Sequence, residues 1–194
     1  SVVVVINNKP RFIRRSRGYV PEPIHCDGLE QTSILAMGSD LKNAFAVNKG
    51  SEVLVGPHIG DLENASTHKT LEWTIERYKS LFSIQPEKSI IDSHPQFFSS
   101  RLGEKIGESF HLSVVPVQHH HAHIASVMAE HNLRGLVLGI AMDGTGYGPD
   151  GTIWGGEFLL CKGNQYQRLA HIHAAPLPGG EKAVSEPWRQ ALWY

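Results

Sequence analysis

The sequence predicts an α/β fold built from two successive lobes. Three short apolar segments joined by turn residues lie between positions 32 and 55, and helical and strand-like segments alternate from position 64 to position 130. Strand-like segments return after position 135. Strands that alternate with helices are typical of parallel or mixed sheets covered by helices, so these observations favour an α/β class.

The first segment of the chain reads as the end of an upstream domain. Residues 1–6 and 11–14 are predicted strands on either side of an Asn-Asn-Lys-Pro turn, and a linker rich in arginine, glycine and proline follows. We place a domain boundary near Pro23. The predicted domains are residues 1–23 (strands and linker of an upstream domain), 24–134 (a first lobe) and 135–194 (the beginning of a second lobe).

The order of elements after the linker predicts a particular fold. The predicted strands cover residues 32–37, 43–48, 52–55, 89–92, 114–117, 136–142, 152–161 and 166–173, and the predicted helices cover 64–82, 96–106, 119–130 and a start near 186. Three strands joined by tight turns and followed by alternating helices and strands form the unit of the ribonuclease-H-like fold, which actin-like ATPases duplicate. The second copy has only its opening strands, and no initiator Met is present, so we expect a piece of a longer polypeptide.

Composition excludes several classes of protein. The formal net charge is -1 at pH 7, so no electrostatic attraction to nucleic acid or to a membrane surface is expected. No apolar run is long enough to span a bilayer. The two cysteines form no C-x-x-C pair, which favours the reducing cytoplasm and predicts no disulfide framework.

A histidine cluster carries the most specific chemistry. Four of the five residues from His119 to His123 are histidines, directly after a predicted strand. On a helix, His119 and His123 share one face and can clamp a zinc or iron ion through two imidazoles. His120 and His121 point elsewhere and are free to hold substrate, to orient ligands or to lie in solvent. The alternative is a histidine-rich surface turn without function.

A glycine-rich hairpin follows the next predicted strand. Its sequence, Asp-Gly-Thr-Gly-Tyr-Gly-Pro-Asp-Gly-Thr-Ile-Trp-Gly-Gly-Glu, begins at Asp143, which ends a strand and can reach the metal held by the two histidines. Glycines let backbone N–H groups approach an anion, and a threonine hydroxyl can donate to it. The predicted phosphate-binding residues of this hairpin are Gly144, Thr145, Gly146, Gly155 and Gly156. Pro-Asp-Gly at positions 149–151 is assigned to the turn itself.

The first lobe offers a counterpart at its first turn between strands. Lys42 can neutralise a phosphate and Asn43 can donate a hydrogen bond to it. An ordinary exposed turn lysine is the alternative. Asp61 and Asn64 are candidates to cap the helix that follows.

These motifs together resemble HypF-type carbamoyltransferases. The resemblance rests on Arg-Arg-Ser-Arg-Gly-Tyr-Val-Pro-Glu-Pro-Ile, Leu-Lys-Asn, His-Ile-Gly-Asp-Leu, Gln-His-His-His-Ala-His and the glycine-rich hairpin, in that order along nearly the whole chain. It implies the end of a YrdC-like domain followed by an actin-like (ASKHA) ATPase domain. It also implies an iron or zinc ion held by His119, His123 and Asp143, a further carboxylate ligand beyond Tyr194, and a phosphate contact from Lys42.

The resemblance further implies an activity. HypF proteins use carbamoyl phosphate and ATP, form carbamoyl-adenylate, and pass the carbamoyl group to the C-terminal cysteine of the partner HypE in the maturation of [NiFe]-hydrogenase. Lys42 and Asp143 are then the expected catalytic residues. Alternatives are an O-carbamoyltransferase acting on a small molecule, a tRNA-modification ATPase, and a non-catalytic docking module for a maturation partner. A metallopeptidase is excluded because no glutamate follows His119 as a general base.

Overall fold

The computed structural model describes residues 1–16, 18–29, 31–180 and 182–192. Arg17 of the linker motif and the last two residues of the predicted C-terminal helix lie outside the described residues. The chain divides into two compact units, Ser1–Val117 and Gln118–Tyr194. This division falls one helix earlier than the predicted lobe boundary at residue 134, and the domain organisation of the whole protein stays a prediction.

The first unit contains a mixed sheet and two long helices. Its elements are β1 (Val2–Ile6), β2 (Lys9–Arg14), β3 (Ile24–His25), β4 (Ile34–Ala36), β5 (Ala46–Lys49), β6 (Glu52–Val55), α1 (Ala65–Phe82), β7 (Lys88–Asp92), α2 (Phe98–Phe110) and β8 (Ser113–Val117). Strands β1 and β2 form an antiparallel hairpin. The other strands form one sheet in the order β3-β6-β5-β4-β7-β8, in which β4, β7 and β8 run parallel and the other pairs run antiparallel.

Helix α1 shows why this segment is helical. Asn64 caps it by accepting hydrogen bonds from the N–H groups of the first turn, as its position before an apolar-periodic segment predicts. Leu71, Ile75 and Tyr78 follow each other at three-to-four spacing and are buried in the core of the unit. The helix ends at Ser83, which adopts a left-handed conformation.

Helix α2 takes its cap from a distant part of the chain. Its own N-cap residue, Phe97, makes no side-chain hydrogen bond to the helix. Asp40 instead accepts the N–H groups of Phe98 at 2.7 Å and Ser99 at 2.9 Å. A carboxylate at this end satisfies unpaired donors and complements the helix dipole, so Asp40 ties the turn after β4 to α2.

The second unit packs one helix on an antiparallel sheet. Its elements are α3 (His119–Glu130), β9 (Val137–Ala141), β10 (Gly146–Tyr147), β11 (Ile153–Trp154), β12 (Glu157–Lys162), β13 (Gln165–His171), α4 (Lys182–Ser185) and α5 (Trp188–Ala191). The sheet order is β13-β12-β9, and β10 and β11 form the separate hairpin that the Pro-Asp-Gly turn predicts. Ile124 and Met128 of α3 are buried against Leu159 and Cys161 of β12.

The prediction of one continuous strand over residues 152–161 is wrong. Gly155 and Gly156 interrupt it, and Gly156 has φ +69°, a left-handed conformation that breaks a strand and favours glycine. The observed α/β class with mixed sheets agrees with the sequence. The finer assignment to an actin-like ATPase preceded by a YrdC-like domain stays a prediction. In the part of the chain that the structure describes, no helix is both long and apolar enough to cross a membrane.

Candidate metal centre

Three predicted ligands lie together in the second unit. His119 and His123 occupy successive turns of α3, and their Nε2 atoms are 3.2 Å apart. The Oδ2 atom of Asp143, two residues after β9, is 3.0 Å from Nε2 of His119 and 3.7 Å from Nε2 of His123. Ligand atoms about 2.0–2.1 Å from a tetrahedral zinc ion are separated by about 3.3 Å from one another, which is close to these spacings.

The carboxylate supplies a test of whether these residues fit a metal ion. Oδ2 of Asp143 is shielded from water, and no hydrogen bond reaches it among the described residues. A buried carboxylate oxygen without a hydrogen bond is costly, so it requires a partner of another kind. The donor set of two imidazoles and one carboxylate is one that zinc and iron accept. The residues therefore fit a divalent metal ion, although their role as ligands stays a prediction.

The helix start positions the histidines. Gln118 is the N-cap of α3, and its side-chain Oε1 accepts the N–H of His121 at 2.9 Å. Helical geometry then places His119 and His123 one turn apart on the same face. Gln118 was not among the predicted site residues, although a polar residue directly before a helix is a recognisable capping signal.

His120 and His121 are both buried, which excludes the predicted alternative that they lie in solvent. Nε2 of His121 donates to the carbonyl of Gly163 at 3.2 Å, and its ring lies against Tyr166. Burial lowers the pKa of His121, and the bond to Gly163 opposes this shift. Burial also lowers the pKa of His120, opposed by the negative charge of Asp143. Both rings are therefore expected to be neutral at physiological pH.

The paired glycines have a different role from the predicted one. The N–H of Gly156 donates to the carbonyl of Asp143 at 3.1 Å, and the N–H of Gly155 donates to Oε1 of Glu157 at 3.1 Å. A Cβ at position 155 would meet the carbonyl oxygen of Gly144 at 2.6 Å. These glycines thus allow two backbone segments to touch and hold Asp143 in place. Their N–H groups are already engaged, which differs from the phosphate contact expected from the sequence.

A partly buried ion pair lies beside these glycines. Glu157 is fully buried and accepts two hydrogen bonds from Arg168, at 2.6 and 2.8 Å. The guanidinium of Arg168 also lies 4.0 Å from the ring centroid of Trp154, and the indole N–H of Trp154 donates to Asp150. This network was not predicted, because the two charges lie on different strands, eleven positions apart, and no local motif links them.

The remaining hairpin residues divide into two groups. Gly146 packs against the histidines, since a Cβ there would lie 2.5 Å from Cε1 of His120 and 3.0 Å from Cβ of His119. Gly144 and Thr145 are exposed, and a Cβ at position 144 would meet nothing within 4 Å. The N–H of Gly144 donates to Oδ1 of Asp143 at 2.9 Å, so Thr145 stays the candidate for contact with an anion, whereas Gly146 serves packing.

Lys42 and Asn43 lie in the first unit. Lys42 is exposed, has φ +50°, and its N–H donates to Oδ1 of Asp61 at 2.7 Å. A lysine in this conformation is uncommon and is held there by the surrounding turn. Asn43 is buried, and its amide donates to the carbonyls of Met37 at 2.9 Å and Ser39 at 2.7 Å. These two bonds leave its side chain no proton for a phosphate, which differs from the predicted contact.

Lys42 lines a basic cavity of about 260 Å³. Arg14, Arg15 and His58 also line it, so the cavity has the charge of an anion-binding site. The guanidinium of Arg15 also donates to the carbonyls of Tyr19 and Glu22.

Comparison with protein families identifies both parts of the chain. Residues 29–130 match the family described as the HypF Kae1-like domain. Residues 139–194 match the second subdomain of the Kae1-like domain of carbamoyltransferases.

Curated relatives and solved structures agree with these matches. The chain is 43% identical over 192 residues to carbamoyltransferase HypF of Rhizobium leguminosarum bv. viciae and 45% identical over 193 residues to that of Synechocystis sp.. In each case the alignment covers 99% of this chain and 25% of the relative. This chain therefore spans about a quarter of the length of these relatives.

Among solved structures, a full-length HypF in its phosphate- and nucleotide-bound form matches with a TM-score of 0.89 and 44% identity, over 98% of this chain and 30% of that one. The HypF of T. kodakarensis matches with a TM-score of 0.86 and 39% identity, over 96% of this chain and 24% of that one. The chain belongs to the HypF family of carbamoyltransferases.

Proposed function

We propose that this chain is the part of a HypF carbamoyltransferase that binds a zinc or iron ion and takes part in the transfer of a carbamoyl group. The observation that supports the proposal is that the ring nitrogens of His119 and His123 lie together with Oδ2 of Asp143, which has no hydrogen bond among the described residues. In this proposal the whole protein uses carbamoyl phosphate and ATP, forms carbamoyl-adenylate, and delivers the carbamoyl group to the C-terminal cysteine of a HypE-like partner.

The metal residues have a defined task in the proposal. His119, His123 and Asp143 hold the ion, and the ion supplies Lewis acidity toward phosphate or carbonyl oxygens when it is bound. Glu157 and Gly156 hold the backbone around Asp143, so the carboxylate is held toward the histidines before substrate arrives. Preorganisation of this kind lets the site act without rearranging.

Other residues bind and neutralise the anionic substrate. Thr145, two residues after Asp143, is exposed and offers its hydroxyl. In the first unit, Lys42 with its arginine neighbours lines a cavity whose positive charge suits phosphate. We propose that Lys42 neutralises negative charge on the carbamoyl-adenylate.

The nucleophile is assigned to the acceptor. Cys161 is fully buried, and burial raises the pKa of its thiol, which makes it a poor nucleophile. A thiolate of the partner attacks the carbamoyl carbon, the new C–S bond forms, and the C–O bond to the adenylate breaks. Free cysteines are consistent with the cytoplasm as the proposed compartment.

Metal content of the full-length protein tests the metal site. Elemental analysis of the purified protein is expected to find one zinc or iron ion per chain beyond any held by other parts of the full-length protein. A His119→Ala/His123→Ala double variant is expected to lose it. A His25→Ala/His131→Ala double variant, which removes two exposed histidines outside the cluster, is the matched control and is expected to keep the metal. A folded wild-type protein without metal would contradict the proposal and favour a non-catalytic docking module.

Transfer of labelled carbamoyl groups tests the acceptor. Full-length protein is incubated with ATP, carbamoyl phosphate labelled in its carbonyl carbon, and a peptide that ends in cysteine. Label in the peptide, absent when the peptide ends in serine, is the expected result. Label found only in small hydroxyl compounds would instead support an O-carbamoyltransferase.

A further inference from the structure

The orientation of the Gln118 side chain can be assigned from its contacts. Its Oε1 accepts the backbone N–H of His121 at 2.9 Å, and a backbone N–H can only donate. The other end of the amide is therefore the NH₂ group. This group lies 3.0 Å from Nδ1 of His120 and 3.4 Å from the carbonyl of Tyr147, so Gln118 is satisfied as a cap and as a donor at once.

This orientation fixes the tautomer of His120. An amide NH₂ cannot accept a hydrogen bond, so Nδ1 of His120 must be the acceptor. The proton of the neutral ring therefore resides on Nε2. Gly146 packs directly against the ring, because a Cβ at that position would lie 2.5 Å from Cε1.

The protonated nitrogen faces the metal residues. Nε2 of His120 is 4.0 Å from Oδ2 of Asp143, and neither atom has a hydrogen bond among the described residues. Both atoms are shielded from water, so a substrate cannot reach Nε2 of His120 in this arrangement. A buried donor therefore faces a buried acceptor that contacts Nε2 of His119 at 3.0 Å but receives no hydrogen bond, and a shift of about 1 Å brings donor and acceptor to hydrogen-bond length.

We propose that His120 is a positioning residue, whose Nε2–H donates to the carboxylate of Asp143 and turns Oδ2 toward His119 and His123. The inference rests on the proposed function, because the orientation of the carboxylate matters only if His119, His123 and Asp143 bind a metal ion. Carboxylates that bind metals are commonly held by a hydrogen bond from a neighbouring group, and loss of that group lowers metal affinity about 10- to 100-fold. Gln118 acts one hydrogen bond further from the metal residues, since its amide sets the tautomer of His120.

The tautomer is tested on metal-free protein, so that its result does not depend on the metal site. Two-bond ¹H–¹⁵N correlation spectra of the full chain with ¹⁵N-labelled histidine distinguish a ring with the proton on Nε2 from one with the proton on Nδ1. His120→Gln identifies the signal by its disappearance. The expected result is the Nε2–H form. A Nδ1–H form would overturn the inference, whatever the metal content.

Metal affinity tests the positioning role. His120→Phe keeps a ring of similar size without the donor and is expected to bind Zn²⁺ about 10- to 100-fold more weakly. His120→Gln places an amide N–H near the position of Nε2 and is expected to recover most of the affinity. His121→Phe is the matched control, because His121 is also buried on α3 but bonds to Gly163, away from Asp143. Circular dichroism establishes that each variant is folded.

The outcomes separate this inference from the proposed function. Equal affinity of His120→Phe and the wild type, or an equal loss in His121→Phe, would overturn the positioning role while the metal site stands. A wild-type protein that binds no Zn²⁺ would overturn the proposed function and, with it, the role of His120 toward a metal. The spectra would still decide whether the Nε2–H tautomer exists.

Discussion

Replacement of Gly146 by alanine is expected to damage the histidine cluster by overpacking. The added Cβ would lie 2.5 Å from Cε1 and 2.8 Å from Nδ1 of His120, and 3.0 Å from Cβ of His119. Carbon atoms in contact normally lie about 3.5–4.0 Å apart, so the closest pair overlaps by about 1 Å. His120 cannot yield easily, because its ring is buried and bonded to Gln118.

The magnitude follows from two opposing effects. Overpacking a filled core costs about 1–3 kcal/mol. Glycine loses more backbone entropy than alanine on folding. The alanine variant therefore gains about 0.5–1 kcal/mol of stability where the backbone is not left-handed, as at Gly146. With the middle of each range, a cost of about 2 kcal/mol and a gain of about 0.75 kcal/mol, the net loss is about 1.25 kcal/mol. With a urea dependence of about 2 kcal/mol per molar, the unfolding midpoint falls by roughly 0.6 M.

Urea denaturation followed by circular dichroism measures this loss, and elemental analysis measures the accompanying loss of metal. Gly144→Ala is the matched control, because a Cβ two residues earlier would meet nothing within 4 Å and Gly144 has no left-handed φ. It is expected to retain wild-type stability and metal content. If Gly146→Ala unfolds at the wild-type midpoint and keeps its metal, the packing of Gly146 against His120 is wrong.

Three further predictions concern single side chains. Asp40→Ala removes both acceptors at the start of α2. It is expected to lower the free energy of unfolding, measured by urea denaturation, by about 1–2 kcal/mol. An unchanged value would mean that water replaces the cap. Glu157→Gln keeps the shape but removes the charge that binds Arg168, with an expected loss of about 1.5–3 kcal/mol in the same assay and a lower metal affinity; a variant as stable as the wild type would count against the pair. Hydrogen bonds from the Thr152 side chain and from Trp154 lower the pKa of Asp150 to about 2, against about 4 in an unfolded chain. The stability that Asp150 contributes is therefore present above pH 4 and lost as the pH falls toward 2, so Asp150→Asn is expected to flatten the pH dependence of thermal unfolding in this window; an unchanged slope would refute this assignment.

Local patterns carried much of the prediction. The periodicity of apolar residues predicted α1, and turn residues predicted the β10–β11 hairpin, because these features depend on residues a few positions apart. The i, i+4 spacing placed His119 and His123 on one face for the same reason. The break between β11 and β12 was missed, since two glycines read equally well as part of a strand or as an interruption.

Sequence patterns were therefore sufficient to predict the α/β class, the family, the histidine pair and the approach of Asp143, because these rest on short-range spacing and on the order of motifs. Contacts between side chains that no motif links became apparent only in the folded chain. The fold buries His120 against Gly146 and pairs Glu157 with Arg168. The physical reason is that packing and the register of neighbouring strands set these contacts, and both depend on how the whole unit folds.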